Sequence, residues 1–200
     1  MLKTLKAFVP TITNMIRADH THVVATFHQY EIDTSPGTKK ALVNTICLAL
    51  EIHARLEEEI FYPAMRDVAR DAGVVAKSVP EHDEMRRLVA RLREMEPTDT
   101  DYDTTVMELM RDVLHHVADE ETVLLPDAER SLADQLEELG AAMTRRRLEL
   151  VAPKTLEIAW NTARALPASN VLMGAGAIAL VAMLVGGRRR RSRLPLRRLA

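Results

Sequence analysis

Apolar residues recur at three- and four-residue spacing through most of the chain, and in four stretches the stripe they form also carries histidine or a histidine–glutamate pair. Ile12, Met15, Ile16, Val23, Phe27 and Tyr30 predict a first helix over residues 12–32, with His20 in the stripe and the turn residues Asp33-Thr-Ser-Pro-Gly37 closing it. A second helix, over 38–66, has Ile46, Leu50, His53, Glu57 and Ile60 on one face. Ser78-Val-Pro80-Glu81 has the form of a capping box with proline in the first turn, so a third helix is predicted over 79–95, with His82, Met85, Val89 and Leu92 inward. After the loop that starts at Pro97, a fourth helix over 103–125 repeats the stripe of the second as Leu109, Val113, His116, Glu120 and Val123. A further helix over 127–150 covers one end or side of these through Leu132, Leu136, Leu139 and Met143, with Arg145-Arg-Arg147 marking its solvated end.

The four stretches are two copies of one unit. His20 and His82 are 62 residues apart, and His53 to His116, Glu57 to Glu120 and Pro63 to Pro126 are 63 each. Each copy is a helical hairpin, and short loops between successive helices favour antiparallel packing. The fold class expected is therefore all-α: an antiparallel up-down four-helix bundle with an extra C-terminal helix and a short hydrophobic tail helix. Composition agrees, since aromatics are only 4% of the chain and its seven glycines fall mostly late in it, whereas a sheet asks for more β-branched and aromatic residues.

Candidate chemistry follows from where the polar residues fall. His53 precedes Glu57, and His116 precedes Glu120, by four residues, which puts each pair on one helical face, and that face is the apolar one. A lone histidine in such a stripe is more often a hydrogen-bonded core residue than a ligand. Four histidines and two glutamates at repeated spacing are harder to explain that way. Two unpartnered buried carboxylates would cost several kcal/mol each, against a total stability of about 5–15 kcal/mol. His20, His53, Glu57, His82, His116 and Glu120 form a complete ligand set for two metal ions, with each glutamate able to bridge and two imidazoles for each metal. Nitrogen and oxygen donors without thiolate suit Fe or Mn, and less distinctively Zn or Cu. His22, His28 and His115 point off these faces. Glu58, Glu59 and Glu121 read as solvated groups or as partners that orient a ligating imidazole. Cys47 reads as a small apolar core residue.

The paired His-x-x-x-Glu-Glu motifs followed by proline, with Asp19-His20 and Glu81-His82 in the other helices, resemble the hemerythrin-like, or HHE cation-binding, family over roughly residues 12–147. That resemblance implies a four-helix bundle around a non-haem di-iron centre, two Fe ions with Mn or Zn as alternatives, that binds or reacts with a diatomic ligand or peroxide. It implies Glu57 and Glu120 as bridging carboxylates and the four histidines as terminal ligands. The oxygen-carrying members resemble a five-histidine pattern, and this chain has Arg86 where the fifth would stand. That difference points away from reversible carriage and toward chemistry with peroxide, nitric oxide or dioxygen at an open position, or one filled by water, Glu58, Glu121 or Tyr62. The alternative is a metal- or oxygen-responsive sensor, or an iron-binding protein, without turnover.

Charge and hydropathy divide the rest. The net charge of −2 hides seven arginines in residues 188–200; without them 20 basic residues face 29 acidic ones, a balance of −9 that disfavours nucleic acid as a partner. Residues 1–150 are expected to form the bundle with its covering helix, 151–170 a linker with an amphipathic segment around Trp160, 171–187 a transmembrane or membrane-inserting helix, and 188–200 an arginine-rich tail. The uncharged run 171–187 predicts a membrane-associated protein with its bundle on the cytoplasmic side. Lipid is then bound through 171–200, and Gly174, Gly176, Ala182 and Gly186 offer a homodimer contact.

Overall fold

The computed structural model describes residues 10–165, and among them every regular element is helical. Helix α1 spans Ile12–Phe27, with the Thr11 hydroxyl accepting the backbone N–H of Asn14 at its start. It ends sooner than its apolar stripe does. From His28 the chain tightens, and the N–H groups of Gln29 and Tyr30 bond to carbonyls three residues back, which still leaves Tyr30 buried. Helix α2 starts at Pro36, since proline needs no N–H in the first turn and the Ser35 hydroxyl accepts from Thr38. It runs through Pro36–Leu56, a π-helical turn Glu57–Phe61, and Tyr62–Met65.

Helix α3 spans Ala72–Glu94 rather than 79–95. The Asp71 carboxylate accepts from Gly73 and Val74 and starts the helix early, so Pro80 lies inside it and Ser78 is no cap. The Ser78 hydroxyl instead donates back to the Val74 carbonyl, 2.9 Å away. Helix α4 runs through Tyr102–Asp119, a second π-helical turn Glu120–Leu124, and Leu125–Ser131. Helix α5, Leu136–Val151, is accordingly shorter than the expected 127–150, because the first residues of that range extend α4. Helix α6, Thr155–Ala165, falls on the amphipathic segment expected around Trp160.

Both π-turns have one cause. Pro63 and Pro126 have no N–H to offer the helical ladder, and the ladder widens just before each. The N–H groups of Tyr62 and Leu125 reach five residues back to the carbonyls of Glu57 and Glu120. The repeated proline thus places a distortion directly after each repeated glutamate.

Long-range contacts give the helix directions. Tyr30, Lys39 and Asp103 meet at one end, with Lys40 bonded to the Met95 carbonyl there, while Asp127 accepts from the Arg70 N–H at the other. Successive helices α1 to α4 therefore alternate in direction. Their inner faces make two apolar clusters. One gathers Phe27, Ile46, Leu88, Tyr102 and Leu109, with Cys47 as the small core residue expected; the other gathers Ile16, Leu56, Phe61, Leu124 and Met143. Helix α5 lies against α1 and α2, and α6 lies along α2. Gly140 makes this close seating feasible: a Cβ there would stand 2.1 Å from the Pro10 carbonyl oxygen.

The membrane-associated localisation is corrected by these elements. Among the described residues no helix is long and apolar enough to cross a bilayer, because each long helix is amphipathic and keeps a charged outer face, as α3 does with Glu84, Arg87 and Arg91. The segment 171–187, and with it the expected tail helix, lipid contact and homodimer contact, lies outside the described residues.

Candidate metal centre

A polar layer separates the two apolar clusters, and all six residues singled out from the sequence lie in it. Glu57 and Glu120 are 0% exposed, and His20, His53, His82 and His116 are at most 5% exposed, so every charge here must be met from within the layer. Two overlapping groups form. Ligand atoms of His20, His53, Glu57 and Glu120 lie within 4.8 Å of one another, as do those of Glu57, His82 and His116. Glu57 is common to both. Its Oε2 is 3.1 Å from His53 Nε2 and 3.4 Å from His82 Nε2. The Glu120 Oε2 is 3.3 Å from His20 Nε2 and 3.6 Å from His116 Nε2.

The outer nitrogen of every imidazole faces a carboxylate. His20 Nδ1 lies 3.0 Å from Glu121, His82 Nδ1 2.9 Å from Glu58, His116 Nδ1 2.9 Å from Glu81, and His53 Nδ1 3.6 Å from Asp19. An ionised carboxylate only accepts, so Nδ1 carries a proton in His20, His82 and His116, while Asp19 stands just beyond hydrogen-bond reach of the same atom of His53; each Nε2 faces inward. These partners obey the repeat: Asp19 and Glu81 serve the second histidine of their own hairpin, while Glu58 and Glu121 cross to the other one. Of the roles open to Glu58 and Glu121, namely solvated group, orienting partner or inward ligand, the contacts to His82 and His20 place both as orienting partners. Glu59 meets Arg55 and Arg146 instead.

The layer is thus lined by acceptors facing acceptors. His20 Nε2, His53 Nε2, Glu57 Oε1 and Glu120 Oε2 are buried without a hydrogen-bond partner, and His82 Nε2 sits 3.1 Å from His116 Nε2. Repeated, buried and unpartnered lone pairs of nitrogen and oxygen are what a cation answers, and this donor set fits non-haem iron. One donor enters: the Tyr62 hydroxyl, 2.9 Å from Glu120 Oε1 and 3.3 Å from both Glu57 Oε2 and His82 Nε2.

Protonation follows the same logic. Burial and the neighbouring Glu120 push Glu57 well above the ordinary 4.5. Burial would raise Glu120 as well, but the adjacent His20 imidazole, followed by His116 and His53, outweighs it and holds that carboxyl below its usual range. His20 is lowered by burial and raised more strongly by Glu120 and Glu57, to about 9. Burial takes His53 down to about 4 against the opposing pull of Asp19. Without a cation in the layer, a proton leaves Glu57 neutral and another leaves His20 positive, and metal binding would release both.

A cavity lies against the histidine side of the layer, walled by Val23, Leu50, Met85, Val89 and Val113, with Arg86 at its edge. It leaves about 20 Å³, space for one water-sized molecule. Arg86, where a fifth histidine would stand, binds Glu58, the carboxylate behind His82, and takes no place among the inward atoms. His22, His28 and His115 are exposed, as their helical positions foretell. Arg145-Arg-Arg147 is no purely solvated end: Arg146 grips Glu59, and Arg147 grips both oxygens of Asp19. Periodicity along one helix had no means of finding that pair, since the partner lies 128 residues away.

Comparison with known proteins gives the same direction. Residues 11–128 match the family described as the hemerythrin HHE cation-binding domain. Over 130 residues the chain is 28% identical to a protein of Nostoc sp. strain PCC 7120 named a DNA nickase; the match covers 65% of this chain but only 37% of that protein. A crystal structure of a hemerythrin HHE cation-binding domain-containing protein from Mycobacterium kansasii superposes with a TM-score of 0.61 at 17% identity, covering 82% of this chain and 98% of that one. At that identity the likeness concerns the fold.

Proposed function

The chain belongs to the hemerythrin HHE cation-binding family, and on that footing we propose that it is a non-haem di-iron protein that binds or reduces a small oxidant: dioxygen, nitric oxide or peroxide. The observation that carries this reading is the buried layer in which His20 Nε2, His53 Nε2, Glu57 Oε1 and Glu120 Oε2 converge without a hydrogen-bond partner. His20 and His53 would hold one ion, His82 and His116 the other, with Glu57 and Glu120 shared. Manganese or zinc suits the same atoms, but the small oxidant requires a redox metal. Iron bound here would supply the electrons for the reaction.

The chain's own residues do the remainder. The apolar walls exclude bulk water and admit one small molecule, which sets the size of the oxidant. The Tyr62 hydroxyl holds a proton 2.9 Å from Glu120 Oε1, at the layer itself, where burial and the two glutamates keep the phenol from ionising. Outer carboxylates hold His20, His82 and His116 by hydrogen bonds to Nδ1 and so fix the planes of those rings.

The nickase activity named for the Nostoc protein does not transfer readily. The match spans 37% of that protein, and the cavity beside the polar layer holds one water-sized molecule, so the layer offers a phosphodiester no place.

The test is anaerobic loading with ferrous iron, followed by peroxide, nitric oxide or dioxygen with a reductant. Sustained consumption that needs the metal is the expected result; two bound irons with no consumption would reject turnover. One observation favours a metal- or oxygen-responsive sensor as the second reading: the ligands come from both hairpins, so occupancy would clamp the halves together and report itself as stability. Metal-dependent partner binding without turnover would select it.

A further inference from the structure

Behind the four outer carboxylates stand four basic side chains. Arg86 binds Glu58, Lys77 lies 3.7 Å from Glu81, and Arg17 lies 3.7 Å from Glu121. Those three come from within residues 11–128, the segment that matches the family. Asp19 differs, since its cation is Arg147 of α5. The contact is two-pronged: Nη1 lies 2.6 Å from Oδ1 and Nη2 2.5 Å from Oδ2. Oδ2 is also the oxygen that faces His53 Nδ1.

We propose that Arg147 is a positioning residue of the metal centre, fixing the Asp19 carboxylate that orients His53, so that α5 is part of the His20–His53 subsite and not merely a cover. This rests on the di-metal reading above. The fork is suited to the task, because a guanidinium holding both oxygens fixes the plane of the carboxylate as well as its position. The need is greatest here: at 3.6 Å the His53–Asp19 contact is the longest of the four between an imidazole and its outer carboxylate. Asp19 lacking Arg147 can turn about its own side-chain bonds, and His53 Nδ1 then loses the negative charge 3.6 Å away that favours a proton on Nδ1 and leaves Nε2 facing inward. The second subsite should not notice, since His82 and His116 are oriented by Glu58 and Glu81, which have other cations.

Arg146 provides the contrast. It docks the same helix through Glu59, with Nε 2.6 Å from Oε2, and Glu59 orients no histidine. Loss of Arg146 weakens the seating of α5 and nothing else.

The experiment compares the full chain with Arg147→Ala, Arg147→Lys and Arg146→Ala, each loaded anaerobically with ferrous iron and then challenged with a chelator. In Arg147→Ala one of two irons should leave about ten-fold faster, the lower end of what outer partners of ligating histidines contribute, while the other leaves at the wild-type rate. Arg147→Lys, which keeps the charge and loses the fork, should fall between. Arg146→Ala should lower the melting temperature of the metal-free protein and leave both release rates unchanged. In the metal-free state, nitrogen-15 spectra of labelled histidine should show His53 as the Nδ1–H tautomer in wild type and as a mixture in Arg147→Ala. Wild-type release and an unchanged tautomer in Arg147→Ala would overturn the proposal, as would equal acceleration of both irons in the Arg146 and Arg147 variants. Should Arg147→Ala fail to fold, Arg147→Lys decides by the same readings. A wild type that binds no iron pair sinks the di-metal reading instead, and the tautomer measurement still judges Arg147.

Discussion

The two hairpins carry the same inner ligands and the same outer carboxylates, yet they are not equivalent. Tyr62 reaches into the polar layer from the first; at the corresponding place in the second, 63 residues on, stands Leu125. Arg86 follows His82 by four residues, while Val24 follows His20. Helices α5 and α6 lie on the first hairpin's side of the bundle. What repeats is what a pair of metal ions needs, namely acceptors and the carboxylates that orient them. What does not repeat is a proton donor, a charge at the cavity edge and a cover, and these are the features that would decide reactivity. On the proposed function, duplication would account for metal binding, and departure from it for reactivity.

The strongest test of the shared part is Glu57→Ala. Glu57 belongs to both ligand groups, so its loss should remove both metals, and elemental analysis should fall from two irons per chain to nearly none. Retention of either metal would show that the groups are independent. Next come the matched variants His53→Ala and His116→Ala. Each should cost one subsite, leave about one iron per chain and lower the metal-dependent melting temperature. Either variant keeping both metals would contradict the ligand assignment.

Tyr62→Phe tests the difference. Iron content should be unchanged, and consumption of the oxidant should slow about a hundred-fold, in the range of a positioned proton donor. In the metal-free protein Glu120 Oε1 loses its donor, at a cost of about 1–3 kcal/mol in denaturant unfolding. Leu125→Met, at the equivalent place, should cost less than about 1.5 kcal/mol and leave the rate alone. Equal effects on rate would make Tyr62 an ordinary packing residue.

The smallest effect lies at the cover. Hydrogen bonds from Arg146 and then Arg55 hold Glu59 down at about 2, from an ordinary 4.5. A carboxyl lowered in the folded state stabilises above its unfolded value, and that stability is lost as pH falls through the folded one. The melting-temperature gap between wild type and Arg146→Ala should therefore be constant above about pH 4.5 and close toward pH 2. It should also be small, because the pair is exposed and screened. A gap that widens in acid would assign the contact to another group.

Much of this was legible from periodicity. The stripes name all six inner residues and the buried Val23, Phe27, Met85, Val89, Leu92, Leu109 and Val113, since a helix of known pitch converts spacing into a face. Boundaries were less so. Asp71 outcompetes Ser78 as a cap because its carboxylate meets two free N–H groups, a local choice that the downstream Ser-x-Pro-Glu pattern obscures. The π-turns follow from proline after a long helix, but the sequence does not say whether the ladder bends, breaks or widens there. Arg147 illustrates the remaining gap. Its partner depends on which helix α5 lies against, and three adjacent arginines read the same whether they end in solvent or on Asp19. No described helix is long and apolar enough to cross a bilayer, since their faces are amphipathic, and the apolar run 171–187 behind the membrane expectation lies outside the described residues.

The most direct measurement is the metal content and optical spectrum of wild-type protein loaded anaerobically with ferrous iron. A di-iron centre requires two irons per chain, both removed by Glu57→Ala, and new near-ultraviolet absorption on oxidation. One iron or none, with no such absorption, would contradict it.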